Sequence, residues 1–239
     1  MWRVTSAGRA AVESQDAAVP EQYRRLLWLI DLQGDAQAIQ GLLREHPEPL
    51  VRDWLLELEE LRFIEPESAS GDVDRAAPLT LDEPALRAGA AAAAALSGAG
   101  AYLASKRSGS PRAPKSSAET TILIAEDDPD QLALADLRVS TAGYKVRTAA
   151  SVAQLTRSLL QDGAPDLLLL DVMLPDGNGL DVLAKLRRHL SFASLPIILL
   201  TVINDPAHIA RGLALGADGY VTKPYSKNIL VGVIKGVLG

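Results

Sequence analysis

In the second half of the chain a glutamate, three aspartates, a threonine and a lysine stand at the ends of short apolar runs. Glu126-Asp127-Asp128 follow Ile122-Leu123-Ile124-Ala125, and Asp171 follows Leu167-Leu168-Leu169-Leu170. Thr201 follows Pro196-Ile197-Ile198-Leu199-Leu200, and Lys223-Pro224 come just after Gly219-Tyr220-Val221. If these runs are neighbouring parallel strands, their ends share one edge of a sheet. Three carboxylates gathered there repel one another unless a cation sits among them. Oxygen-only ligands of this kind suit Mg²⁺, which keeps some of its waters and binds phosphate oxygens. One lysine and one threonine hydroxyl then complete what phosphoryl transfer requires: an acceptor, a metal, a second cation and a hydroxyl donor.

Taken singly, most of these residues have an ordinary structural meaning. Asp128 and Asp130 suit the positive end of a helix, and Asp176 and Asp181 suit turns and caps. Thr201 could cap a strand, Lys223 could be a solvated charge, and Tyr220 a core aromatic. Asp171, behind four leucines and before a Gly-rich turn, is explained only by the shared edge.

The elements that must bring them together are legible as alternation. Five strand-like runs, at 122–125, 144–148, 167–170, 196–200 and 219–221, are separated by helical segments near 130–142, 151–162, 179–190, 206–214 and 226–238. Three of the runs are apolar almost without interruption, as strands covered on both faces should be. The expected fold is α/β: a five-stranded parallel sheet, doubly wound, with a small mainly helical domain in front of it.

The motifs at 122–129, 167–179, 196–201 and 216–224 make residues 120–239 resemble the receiver domain of bacterial response regulators, a flavodoxin-like fold. The resemblance implies that Asp171 accepts a phosphoryl group from a histidine kinase or histidine phosphotransfer protein. It implies a Mg²⁺ site of Asp127, Asp171, Glu126 (through water) and the main-chain carbonyl of Met173. It makes Thr201 and Lys223 phosphoryl-binding residues and Tyr220 a switch aromatic, with the Lys223-Pro224 bond cis. Such a protein is no enzyme in the ordinary sense; it assists its own phosphorylation and dephosphorylation. Met173 and Ile203, at positions that line the path of attacking water in the family, imply a long-lived phosphoryl group. A metal-dependent phosphatase would want a second acid where Met173 stands. Two departures are Val202, larger than the usual residue and expected to narrow the pocket, and a nearly uncharged last helix, which weakens the case for dimerisation through that face.

The remaining residues divide into 1–66 and 67–119. In the first, apolar residues recur at helical spacing through 23–30, 38–43 and 50–61, the last with Leu50, Val51, Trp54, Leu55, Leu58 and Leu61 on one face. A short strand is expected at 62–66. Helix, turn, helix and strand give 1–66 a weak resemblance to a reduced winged-helix unit. All three tryptophans, Trp2, Trp28 and Trp54, lie here and suit a core. Residues 67–119 read as a linker: loop chemistry, an Ala-rich helix over 85–107, then a Ser/Pro-rich tether at 108–114.

Charge bears on partners. The net charge is −6, and residues 1–66 carry seven Arg and no Lys against twelve Asp and Glu. The third helical segment is the most acidic, so facing phosphates would repel it. DNA is therefore not expected as a partner, and the front unit is expected to bind a downstream protein, since the receiver lies last in the sequence. The alternative is a DNA-binding transcription regulator using the winged-helix-like unit. With no cysteine, disulfides are excluded and a reducing cytoplasm fits. The uncharged stretch 88–105 is Ala- and Gly-rich and suits a helix better than a membrane span, and the N-terminus lacks the apolar core of a signal peptide.

Overall fold

The computed structural model describes residues 2–13, 19, 21–33, 48–66, 81–104, 115–189, 191–202 and 205–239. They belong to two compact units, Met1–Arg75 and Ala76–Gly239.

In the first unit β1 (Trp2–Val4) leads into α1 (Ser6–Glu13), α2 (Glu21–Gln33) and α3 (Glu48–Glu60), and β2 (Ile64–Pro66) closes it. The expected closing strand is present, and it pairs antiparallel with β1, Val4 opposite Ile64 and Trp2 opposite Pro66. Among the described residues no wing hairpin follows α3. Val4, Ala11, Leu26, Leu27, Ile30, Val51, Leu58 and Ile64 form the core, with Trp2 and Trp54 packed against it. Trp28 is also buried. Leu61 departs from the expected apolar face: it lies 52% exposed, because α3 ends at Glu60 and Arg62 turns the chain at φ 56°. The helical pattern expected at 38–43 falls outside the described residues.

The second unit is the expected doubly wound sheet. Its parallel strands are β4 (Thr121–Ala125), β5 (Lys145–Ala149), β6 (Leu167–Asp171), β9 (Ile197–Thr201) and β10 (Gly219–Thr222), with a small hairpin β7 (Met173–Leu174) and β8 (Gly177–Asn178) after β6. The spatial order runs β5-β4-β6-β9-β10. The order of strands therefore reverses between β4 and β6, the place where ligands bind in such sheets. Helices α5 (Pro129–Ser140), α6 (Val152–Gln161), α7 (Gly179–Arg188), α8 (Pro206–Ala214) and α9 (Lys227–Leu238) cover it. Ile122, Ile124, Leu167, Leu169, Ile198, Leu200 and Val221 meet α5 and α9 on one face. Strand alternation sends Leu123, Leu168, Leu170, Leu199 and Tyr220 to the other, where all five are fully buried.

The expectation of a linker over 67–119 is corrected at 81–104. There α4 (Glu83–Ala99) is capped by the Asp82 side chain, which accepts from the Ala85 N–H at 2.9 Å, and ends at Gly100 in the left-handed region, φ 72°. The chain then forms β3 (Ala101–Leu103), which pairs antiparallel with β10 as a sixth strand at the sheet edge. Helix α4 lies on α8: a Cβ on Gly89 would come within 2.4 Å of both the Ala210 Cβ and the Pro206 carbonyl oxygen. Contact this close requires small residues, and Gly89, Ala92, Ala93 and Leu96 form the buried stripe. The tether at 108–114 lies outside the described residues. No helix among the described residues is long and apolar enough to cross a membrane.

Candidate functional site

Each side chain of the site is delivered by the end of a strand. Glu126 and Asp127 follow β4, Asp171 is the last residue of β6, Thr201 the last of β9, and Lys223 follows β10. One carboxylate oxygen from each of Glu126, Asp127 and Asp171 lies within 4.8 Å of the others. Glu126 and Asp171 are buried, while Asp127 is open to solvent. The Lys223 Nζ reaches both buried acids, 2.5 Å from Glu126 Oε2 and 2.6 Å from Asp171 Oδ2. Asp171 Oδ1 also accepts from the Met173 N–H at 3.1 Å. Behind Asp171, Gly179 opens α7 so close to β6 that a Cβ there would lie 2.2 Å from the Asp171 carbonyl oxygen.

Burial, with the nearby Asp171 charge adding to it, pushes the Glu126 carboxyl up to about 7 against the opposing pull of Lys223. Burial alone would depress Lys223; its hydrogen bonds to Asp171 and Glu126 outweigh that and hold it above its ordinary value. Glu126 Oε1 is buried with no hydrogen-bond partner. An all-oxygen set with one orphaned carboxylate oxygen fits a hard divalent cation such as Mg²⁺.

Thr201 and Tyr220 are both buried. Their neighbouring strands run in register, Thr201 beside Thr222 and Leu199 beside Tyr220, which puts Thr201, Thr222 and Tyr220 on one face of the sheet. The Tyr220 hydroxyl donates to the Ile209 carbonyl of α8 at 3.2 Å, and burial raises its pKa. Met173 and Val202 project outward, 62% and 68% exposed. Val202 lines a cleft with Gln131, Leu134, Arg138 and Lys223. Ile203 lies outside the described residues. The Lys223-Pro224 bond is cis.

The other acids have structural work. Asp128 caps α5 through the N–H groups of Asp130 and Gln131. Asp176 accepts from Val152 and Ala153 at the start of α6, and Asp181 faces Arg211 at 3.7 Å. Sequence reasoning missed Gly212: its absent Cβ would sit 1.7 Å from the Tyr220 hydroxyl oxygen. A glycine inside a helical pattern is the one sign that could have found it.

Because the Lys223 ammonium competes with a cation for the Glu126 and Asp171 carboxylates, Lys223→Ala should bind Mg²⁺ at least as well as the parent. Its metal-free form should melt lower, since breaking a buried pair costs about 3–5 kcal/mol. The check is the Mg²⁺-induced rise in Tm; a smaller rise in the variant would mean that Lys223 organises the metal ligands.

Residues 122–235 match the model of the response regulator receiver domain. The transcriptional regulatory protein GltR of Pseudomonas aeruginosa is 39% identical over 118 residues, 49% of this chain and 48% of its own length. The transcriptional regulatory protein AfsQ1 of Streptomyces coelicolor is 43% identical over 117 residues, 49% of this chain and 50% of its own. The solved signal receiver domain of a signal transduction histidine kinase from Syntrophus aciditrophicus is 31% identical, with a TM-score of 0.47, over 50% of this chain and 89% of that one. Residues 122–235 are thus a response regulator receiver domain. It spans about half the length of the curated relatives it matches.

Proposed function

We propose that this protein is a cytoplasmic response regulator that accepts a phosphoryl group on Asp171 and signals through protein contacts of its N-terminal unit. The convergence of Asp171, Lys223, Glu126 and Asp127 on one sheet edge carries the reading. The donor is a phosphohistidine of a histidine kinase or phosphotransfer protein. An Asp171 carboxylate oxygen attacks phosphorus; the O–P bond forms as the N–P bond breaks, and the imidazole nitrogen keeps the electron pair. Glu126, Asp127, Asp171 and the Met173 carbonyl would hold Mg²⁺, which when bound supplies positive charge to the phosphoryl oxygens. Lys223 supplies a second charge, and the Thr201 hydroxyl donates to the transferred group. Burial of Glu126 and Asp171 keeps competing water from these charges.

The output reading rests on α3, whose exposed residues include Asp53, Glu57 and Glu60 beside Arg52. The names of the relatives, transcriptional regulatory proteins, favour the second reading, a DNA-binding output. The two are separated by the anisotropy of labelled duplex DNA at low salt, titrated with the full chain, phosphorylated and not. We expect no binding beyond that of a neutral control. Salt-sensitive binding abolished by Arg24→Ala with Arg25→Ala would establish the transcription-regulator reading instead.

A further inference from the structure

We propose that residues 82–104 form an intramolecular cap whose docking on α8 and β10 is coupled to phosphorylation of Asp171, each favouring the other. The inference rests on the phosphoacceptor reading above. The cap touches the receiver in three places. Helix α4 lies on α8 through the Gly89–Ala210 contact. The Gly100 carbonyl accepts from the Thr222 N–H at 3.0 Å and from the Thr222 hydroxyl at 3.2 Å. Strand β3 closes the open side of β10, with the Ala104 N–H on the Asp218 carbonyl at 3.1 Å and Leu103 seated over Gly236 of α9.

These contacts lie one step from the site. Lys223, ion-paired to Asp171, is the residue after Thr222, and its N–H donates to the Thr201 carbonyl at 2.8 Å. Tyr220 is gripped from both sides by what the cap holds: its strand pairs with β3, Tyr220 opposite Tyr102, and its hydroxyl bonds to α8, on which α4 lies. The docked cap thus fixes β10 and α8 in the arrangement that keeps Tyr220 and Thr201 buried on one face of the sheet and Lys223 on Asp171. That arrangement is the one a phosphoryl group on Asp171 uses, since it draws on both Lys223 and Thr201. Docking therefore prepares the site, and by reciprocity an occupied site holds the cap more tightly. Small residues make the cap a weak enough binder to be shifted: α4 buries Gly89, Ala92 and Ala93 with only Leu96 as a large side chain.

The test uses the full chain with acetyl phosphate and Mg²⁺, the phosphorylated fraction being read by intact mass in the same samples as amide hydrogen exchange. Exchange over residues 83–103 should slow about fivefold or more on phosphorylation, the lower end of usual coupling free energies. Gly89→Leu and Leu103→Asp, which disturb the cap without touching the site, should lower the rate of phosphorylation, because β10 is then no longer held in the arrangement the reaction uses; Arg87→Ala, on the exposed side of α4, should leave it unchanged. Unchanged or faster exchange at 83–103 in fully phosphorylated protein would overturn the coupling while leaving the phosphoacceptor reading intact. Failure of the parent chain to take up phosphoryl at all would remove that reading and the coupling with it. Normal phosphorylation of both cap variants, once their exchange shows the cap released, would also overturn it.

Discussion

Asp171→Asn should reduce phosphoryl incorporation from acetyl phosphate to the level of a donor-free control, and chelating Mg²⁺ should do the same to the parent protein. The amide keeps the shape of the side chain and an oxygen that can still accept from the Met173 N–H, now 3.1 Å from Oδ1. It lacks the anionic oxygen that must form the bond to phosphorus. It also gives up the ion pair with Lys223, leaving that lysine with Glu126 alone of its two buried partners. Because Glu126 and Lys223 can still pair, the variant should remain folded, and circular dichroism separates lost chemistry from lost structure. Stoichiometric labelling of Asp171→Asn at another residue would end the assignment of the acceptor. Undiminished labelling of the parent in chelator would end the assignment of the metal.

Gly212→Ala should destabilise the receiver unit by about 1–3 kcal/mol, the usual cost of overpacking. In an exposed helix interior the same change gains about 1 kcal/mol, so the sign itself is informative. The new methyl would lie 1.7 Å from the Tyr220 hydroxyl oxygen, 3.0 Å from the ring carbon that bears it and 3.1 Å from the Leu199 Cδ1. Either the ring leaves its pocket, giving up its hydrogen bond to Ile209, or α8 lifts from the sheet. Tyr220→Phe removes the nearest atom, so the double variant should recover part of the loss, with a coupling of about 0.5–3 kcal/mol in the double-mutant cycle. Calorimetry of the full chain reads the transition of the receiver unit directly. A stabilised Gly212→Ala would show that Tyr220 does not occupy the pocket in solution.

The site was legible because its signals are local and repeated. Each of the four strand ends carries its chemistry within a residue or two of an unbroken apolar run, and the parallel topology leaves only one edge on which those ends can meet. The cap was not legible for opposite reasons. Its helix reads correctly as a helix, but Ala and Gly carry little hydrophobic signal, and their contact with Ala210 and Pro206 depends on backbone approach rather than apolar area. Its strand, Ala101-Tyr102-Leu103, is too short to show alternation, and its partner lies more than a hundred residues away in sequence. The strand at Trp2–Val4 escaped notice because it too is only three residues long, and its partner, Ile64–Pro66, lies at the far end of the unit. Leu61 was assigned to the apolar face of α3 because periodicity does not see the positive φ of Arg62 that ends the pattern.

The distribution of aromatic residues has a practical consequence. Trp2, Trp28 and Trp54 all belong to the first compact unit, and the second has none. Ultraviolet emission excited at the indole band therefore reports on the first unit by itself, while Asp171 lies in a part of the chain that is dark to it. Any change in that emission when Asp171 is phosphorylated is a signal that has crossed from one unit to the other. The absence of cysteine supplies the complement: a single introduced thiol in the second unit would carry a dye at one known position. Donor indoles and one acceptor dye would then follow both ends of the switch in the same cuvette.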